Sequence, residues 1–388
     1  MDTKLYRAKP YIPQEDKQYI LSEWKNILDT GMFVQGKNVE KLEKLVAEYC
    51  NVKHAIATSS GGTALEVALM ATGIKNKKFI VCTQTYVASI SAIIRSGNIP
   101  VIVDMDEKFH GLSSNIINKY IDSDTAGVML VHMAGYIASD YKEIQKICKQ
   151  NNLLLIEDAA HAMGASIEGN KAGAISDIGC FSFFPTKIIT TGEGGIITTN
   201  NDEIAEQARI IRNHGCVRAE AKIPGLDYGV VCTYASNNFR MQELSAVLGI
   251  SQMQRVDEFV AKRNILAERY YQNLKPLKSL TCPNEYLSKD QIHSWWQYMI
   301  VVDKSVDRTN LAESLLQNNI PTANAYWPPC HEQPVLKEYS TNDYPVVDDI
   351  LNRHLALPIY VEMSLEQVDF VCDTLKHIIF YLYKKISN

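Results

Sequence analysis

Lys187 lies in the stretch 181–200, FSFFPTKIITTGEGGIITTN, directly after an apolar run and before a glycine-rich turn. Burying an ammonium group costs free energy. A lysine here is therefore either a packed stem with its head in water or an amine that the protein uses. Upstream, LLLIEDAAHAMGA (153–165) closes an apolar run with Glu157 and Asp158, and His161 follows. Side chains alternate along a strand, so the two acids point to opposite faces, one free for a site and the other for capping a turn. Asp158 also suits a helix N-cap. In ATSSGGTALEVALMATG (57–73), serines, glycines and a threonine lead straight into a helical pattern. The unpaired amides and dipole of a helix start suit a phosphate, and Ser60, Gly61, Gly62 and Thr63 are placed to hold one. The same residues also read as a plain helix cap, with Ser60 or Thr63 as the cap. TQTYVAS (83–89) sets Tyr86 just past a predicted strand end, where its ring can stack on a flat ligand or pack in the core.

The elements that must position these residues alternate. Helical periodicity runs through VEKLEKLVAEYC (39–50), TALEVALMATG, SISAIIRSG (89–97) and YKEIQKICKQNN. Between them, KFIVCT (78–83), PVIVDMD (100–106), AGVMLVHMAG and LLLIEDAA read as strands with continuous apolar runs. Such alternation predicts an α/β fold with a parallel sheet covered on both faces, and ligands bound at the carboxyl ends of its strands. After residue 250 the pattern changes. SQMQRVDEFVAKRNILAERYYQNLK reads as one long connecting helix. WWQYMIVVD reads as a strand, and RTNLAESLLQNN and LEQVDFVCDTLKHIIFYLYKK as helices. This predicts a large domain over 1–255, with an N-terminal arm, and a smaller α+β domain over 256–388.

Composition narrows the function classes. The 388 residues are 46% hydrophobic and 21% charged, as in ordinary soluble globular proteins. The net charge of -5, without a basic run, argues against nucleic acid and membrane partners. No stretch approaches the ~20 apolar residues of a membrane helix, and the N-terminus lacks the apolar core of a signal peptide. Nine cysteines are scattered singly, with no zinc-ligand spacing. The expectation is a cytoplasmic protein with core thiols rather than a disulfide framework, and with no metal site.

An amine, an acid, an aromatic plate and a phosphate cradle meet the separate needs of pyridoxal 5'-phosphate. The lysine forms a Schiff base with the aldehyde, the acid keeps the pyridine nitrogen protonated, and the plate holds the ring. On EDAAHAMGA, FSFFPTKIITTGEGGIITT, RNHG (212–215) and NNFRMQELSAVLG (237–249), the sequence resembles the DegT/DnrJ/EryC1/StrS (sugar aminotransferase) family. The likeness extends from FVQGKNVEKLE to LALPIYVEMSLEQVD. It implies the PLP-dependent transferase fold type I, with a large, mostly parallel mixed sheet and a smaller C-terminal domain. It further implies Lys187 as Schiff-base lysine and proton carrier, Asp158 on the pyridine nitrogen, His161 near the ring hydroxyl and Tyr86 on the ring face. Gly61, Gly62 and Ser182 would hold the phosphate, and Asn238 would reach the phosphate of a neighbouring subunit in a homodimer with shared active sites. The implied reaction is ping-pong transamination from L-glutamate to a nucleotide-linked keto-deoxysugar, in bacterial surface-glycan biosynthesis. A small phosphorylated ketone such as dihydroxyacetone phosphate, giving serinol phosphate, is the alternative acceptor. Dehydratase relatives carry histidine where this chain has Lys187, and a regulatory protein would need a DNA-reading unit that the sequence does not display.

Three departures from the family pattern stand out. Gly62 replaces the usual hydroxyl residue of the phosphate turn. SNNFRM replaces GYNYRM before and after Asn238. YWPPCHEQP (326–334) replaces a loop nearer YxPLHxQP, which makes Trp327 and His331 candidate substrate contacts.

Overall fold

The computed structural model describes residues 4–108, 110–219, 229–324 and 326–386. Its central sheet has seven strands in the order His54–Thr58, Gly195–Thr199, Ile178–Ser182, Leu154–Asp158, Thr125–Val131, Lys78–Cys82, Ile99–Val103. Four of the pairings are parallel, and Gly195–Thr199 alone runs against both of its neighbours. The core strands carry continuous apolar runs because helices cover both faces. The carboxyl ends of the parallel strands therefore converge on one edge, where Asp158 and Ser182 sit.

The predicted helices are present, with ends shifted by a few residues: Lys37–Cys50, Gly61–Ala71, Val87–Arg95 and Tyr141–Gln150. The long connecting helix is broken. It ends as Glu243–Met253 and restarts as Val256–Leu274 across Gln254 and Arg255. At the break the Arg255 guanidinium pairs with Asp16 and Glu15 on the N-terminal helix Gln14–Thr30. Helix Val256–Leu274 then contributes to two cores. Phe259 and Val260 pack with Ala162 and Met163, whereas Ala267, Tyr270 and Leu274 pack around the antiparallel sheet Leu280–Thr281, Tyr298–Val302, His354–Leu357. Leu5 of the N-terminal arm lies in that second core. Arg263, fully enclosed, ties the helix to the carbonyls of Trp295 and Ile359.

The cysteines depart from expectation in one place. Seven are buried and free, but Cys216 and Cys232 face each other across the paired strands Cys216–Ala219 and Gly229–Cys232 and form a disulfide. Single scattering along the chain hid a cross-strand register that brings these two together.

Helix Lys37–Cys50 starts at Gly36, which has no side chain to cap it. Glu243, buried and distant in sequence, does so instead. Its carboxylate accepts from the amides of Gly36 (2.9 Å), Asn38 (2.9 Å) and Val39 (3.0 Å). Replacing Glu243 by Ala leaves three amide donors without their carboxylate acceptor, two of them buried. The expected loss is about 2–4 kcal/mol, with Glu243→Gln intermediate, read as a lower urea midpoint. An unchanged midpoint in the Ala variant would refute the capping role.

Candidate active site

The helix start after His54–Thr58 is tightly built. Ser60 Oγ accepts from Thr63 N (3.1 Å), and Thr63 Oγ1 accepts from Ser60 N (2.9 Å). This reciprocal cap consumes the Thr63 hydroxyl, which does not face the cavity. It leaves the amides of Gly61 and Gly62, the first of the helix, without intrahelical acceptors. Gly61 is pressed on Ser182, where a Cβ would meet the Ser182 Cβ at 2.5 Å. Gly195 meets the Ser60 carbonyl in the same way, at 2.2 Å. Gly62 is open, since a Cβ there would find Ala88 at an ordinary 3.5 Å.

Strand alternation separates the two acids as expected. Glu157 turns inward with no exposure and is fully bonded: it accepts from His132 Nε2 (2.8 Å), Gly173 N (2.6 Å), Ile175 N (3.0 Å) and Ser176 Oγ (2.7 Å). Asp158 turns to the sheet edge. Ser89 Oγ donates to it at 2.6 Å and Ala160 N at 3.1 Å, and Ser89 is itself paired with Thr85 Oγ1 (2.7 Å). The carboxylate is thus aimed by the first turn of the helix that Tyr86 begins.

Lys187 sits on the loop between strands Ile178–Ser182 and Gly195–Thr199. Its Nζ lies 4.4 Å from the ring centre of Trp296, whose own Nε1 donates to the Thr186 carbonyl (2.8 Å). Burial lowers the Lys187 pKa to about 8, opposed in part by the negative charge of Asp158. His161 stacks on Trp296 at 3.7 Å and shares a 2.7 Å hydrogen bond with the Tyr326 hydroxyl. Burial first, then the charges of Lys187 and His132, push the His161 pKa well below its ordinary value. Tyr86, more than half exposed, meets Tyr326 with ring centres 5.3 Å apart.

One cavity of about 420 Å³ gathers Ser60, Gly61, Gly62, Tyr86, Asp158, His161, Ser182 and Lys187. It does not take in Thr63, Asn238, Trp327 or His331. Asn238 is exposed, bridged to Asn213, with Oδ1 accepting from Arg240 N (3.2 Å). His331 is occupied elsewhere: it bonds Thr83 Oγ1 (2.9 Å), faces Asp348 (3.2 Å) and stacks on Tyr344 at 4.0 Å. Trp327 lies under the Arg308 guanidinium. The residues that sequence reasoning missed are Trp296, Tyr326 and Ser89. Trp296 belongs to a strand-like run that only looked like core. Tyr326 directly precedes the flagged Trp327, and Ser89 follows Tyr86 by one helical turn.

The model of the DegT/DnrJ/EryC1/StrS aminotransferase family matches residues 14–376. The chain is 33% identical over 377 residues to a GDP-perosamine synthase of Caulobacter vibrioides, covering 96% of this chain and 97% of that protein. It is 32% identical over 350 residues to a dTDP-3-amino-3,6-dideoxy-alpha-D-galactopyranose transaminase of Aneurinibacillus thermoaerophilus, covering 89% and 92%. Among solved structures, an aminotransferase from Psychrobacter cryohalolentis matches with a TM-score of 0.88 at 25% identity, over 97% of this chain and 99% of that one.

Because burial disfavours its ammonium form, Lys187 in cofactor-free protein gains nucleophilicity as pH rises through about 8. Labelling with an amine-specific reagent, followed peptide by peptide, is expected to reach half its maximal rate near that pH. An exposed lysine instead climbs toward ~10.4. A midpoint at the exposed value would show that the amine is not desolvated.

Proposed function

The chain belongs to the DegT/DnrJ/EryC1/StrS aminotransferase family, and from that premise we propose that it uses pyridoxal 5'-phosphate to move an amino group from L-glutamate to a nucleotide-linked keto-deoxysugar. The observation that carries this reading is a desolvated amine, Lys187, in one cavity with Asp158 and a pair of free helix-start amides. The names of the two sugar-acting relatives, GDP-linked in one case and dTDP-linked in the other, support a nucleotide sugar as acceptor and surface-glycan biosynthesis as setting. The sugar-acting relatives do not favour the small keto-phosphate alternative, and His331 of the divergent loop is engaged by Thr83, Asp348 and Tyr344.

The residues present fit the cofactor. Gly61 must lack a Cβ because Ser182 fills that space, which brings bare backbone amides to the cavity wall. In our reading the amides of Gly61 and Gly62, with the Ser60 and Ser182 hydroxyls, take the phosphate, and Thr63 acts only by holding the cap. Asp158, aimed by Ser89, would take the ring nitrogen, and Tyr86 and His161 would hold the ring. When bound, the cofactor supplies an aldehyde carbon that condenses with amines and a protonated ring that accepts the electron pair left by a departing α-proton.

The chain's own groups do the rest. Lys187 would hold the cofactor, and its Nζ, when neutral, would take the α-proton of the donor and deliver a proton to the product. Burial keeps that nitrogen a base, and the negative charge of Asp158 keeps its pKa from falling further. Trp296 and Tyr326 wall off the amine, and His161, held neutral, adds no competing cation. Asn238, exposed and outside its own chain's cavity, is placed in this reading on the phosphate of the second subunit of a homodimer. The same reading takes 1–255 as the cofactor domain and 256–388 as the smaller domain. The seven buried free thiols support a cytoplasmic setting, whereas the Cys216–Cys232 bridge does not.

Absorbance of the cofactor-loaded protein tests the reaction. The visible band is expected to vanish with L-glutamate and to return with a nucleotide keto-sugar, and Lys187→Ala is expected to lower kcat/KM at least about a thousandfold. Turnover by the Ala variant, or a band untouched by any amino acid, would sink the assignment.

The cradle has its own test. Gly61→Ala is expected to weaken cofactor binding about 10- to 100-fold, because its Cβ displaces Ser182. Gly62→Ser, which has room and adds a hydroxyl, is expected to bind as well as the parent or better. Equal loss in both variants, measured by equilibrium dialysis, would count against this phosphate site.

A further inference from the structure

The nine cysteines fall into two populations. Seven are buried and free, and burial raises the pKa of every one of these thiols. Such thiols carry little thiolate and lie out of reach of a dissolved reagent. The two that water reaches are Cys216, half-buried, and Cys232, exposed, and they are the two that are bonded to each other. The bridge closes the base of a small ribbon, as the first pair of the four-rung ladder between Cys216–Ala219 and Gly229–Cys232. Among the described residues no further strand pairs with this ribbon, and Val230 and Val231 are 62% and 49% exposed. Two strands with so little to bury are marginal in water, so the covalent link at the base is the ribbon's main restraint.

The bridge is wired to the Asn238 segment. Cys216 N donates to the Asn213 carbonyl (3.0 Å), and His214 N donates to the Asn237 carbonyl (3.1 Å). Asn213 in turn bridges Asn238 through the backbone, and its Oδ1 accepts from Arg240 Nη1 (2.6 Å). Between Asn213 and the bridge, His214 is held in a left-handed backbone with φ of 60°. A residue with a side chain occupies that region at a cost, so the turn relaxes once nothing holds it closed.

We propose that Cys216–Cys232 is a reversible redox modification site, which a dithiol opens to free the ribbon and loosen the Asn213–Asn238 turn. A thiolate of the dithiol attacks the exposed Cys232 sulfur, the bond between the two cysteine sulfurs breaks, and Cys216 leaves and takes a proton. The second thiol of the dithiol then attacks its own sulfur in the mixed disulfide, and Cys232 leaves as a thiol. Two electrons and two protons pass to the protein, and the dithiol ends as a cyclic disulfide. The effect on the cofactor rests on the reading that places Asn238 on the phosphate of the second subunit; the opening of the ribbon does not.

The test treats the folded full chain with dithiothreitol, alkylates it, removes the reagents and maps the label by peptide mass spectrometry. No cysteine is expected to be labelled before treatment, and Cys216 and Cys232 alone after it. Trypsin then reads the ribbon. Cleavage after Arg218 is expected to be about tenfold faster once the bridge is open, because cleavage follows the population of the open form. The double variant Cys216→Ser/Cys232→Ser is expected to be cut at the reduced rate with or without dithiothreitol. Equilibrium dialysis is expected to find pyridoxal 5'-phosphate bound about 3- to 10-fold more weakly by that variant than by the oxidised parent. Two reactive thiols before treatment, a bridge that yields only in denaturant, or equal cleavage of the oxidised and reduced ribbon would overturn the site. Faster cleavage with unchanged cofactor binding would uphold the site and overturn the placement of Asn238.

Discussion

A carboxylate sealed from water must be bonded on every side or the fold that holds it fails. Glu157 is such a group, and its four donors come from two segments that flank its strand. His132 closes strand Thr125–Val131. Gly173, Ile175 and Ser176 belong to the connection leading into strand Ile178–Ser182. The acid thereby locks the register of its own strand against both neighbours. Once Glu157 is committed inward, the alternation of the strand leaves Asp158 only the opposite face. There the Val87–Arg95 helix meets it with Ser89. The placement of the cavity-facing acid is therefore set by the structural acid beside it.

The amine obeys a related logic. Lys187 has no acid within ion-pairing distance among the described residues, and its nearest ring is Trp296. Its surroundings favour the neutral form, and they do the same to His161 across the same indole. Burial acts first on both, and the charge of Lys187 further suppresses that of His161, because two cations so close in a dry site would repel. A desolvated amine and a neutral imidazole thus share one packing arrangement, the Trp296–His161–Tyr326 stack.

Much of this was legible in the chain itself. Apolar runs, glycine turns and the Glu157–Asp158 pair marked the sheet, its carboxyl edge and the separation of the two acids, since each depends on period and local chemistry. Contacts between residues far apart in sequence were not legible. Trp296 reaches Lys187 because Trp295 adopts a left-handed backbone, with φ of 53°, and buries its own ring in the second core. That leaves the adjacent indole for the cavity, and no periodic pattern records it. The Arg255 break, the Glu243 cap and the Cys216–Cys232 pairing belong to the same class. Trp327 and His331 show the converse: residue types suited to binding, in a loop of the right kind, whose side chains are turned to Arg308 and to Asp348.

The lone antiparallel strand has a consequence for how the protein is made. Among the described residues His54–Thr58, which leads into the helix start of the cavity, has no sheet partner except Gly195–Thr199, roughly 140 residues later in the chain. At ribosomal speeds of 5–20 residues per second, that partner emerges about 7–28 s after the first strand. Until then the first strand is an unpaired edge, and Ser60 and Gly61 lack the glycine that packs beneath them. The cradle is thus among the last parts of the sheet to be completed during synthesis, and a chain interrupted before Gly195 carries half of a binding site whose other half does not yet exist.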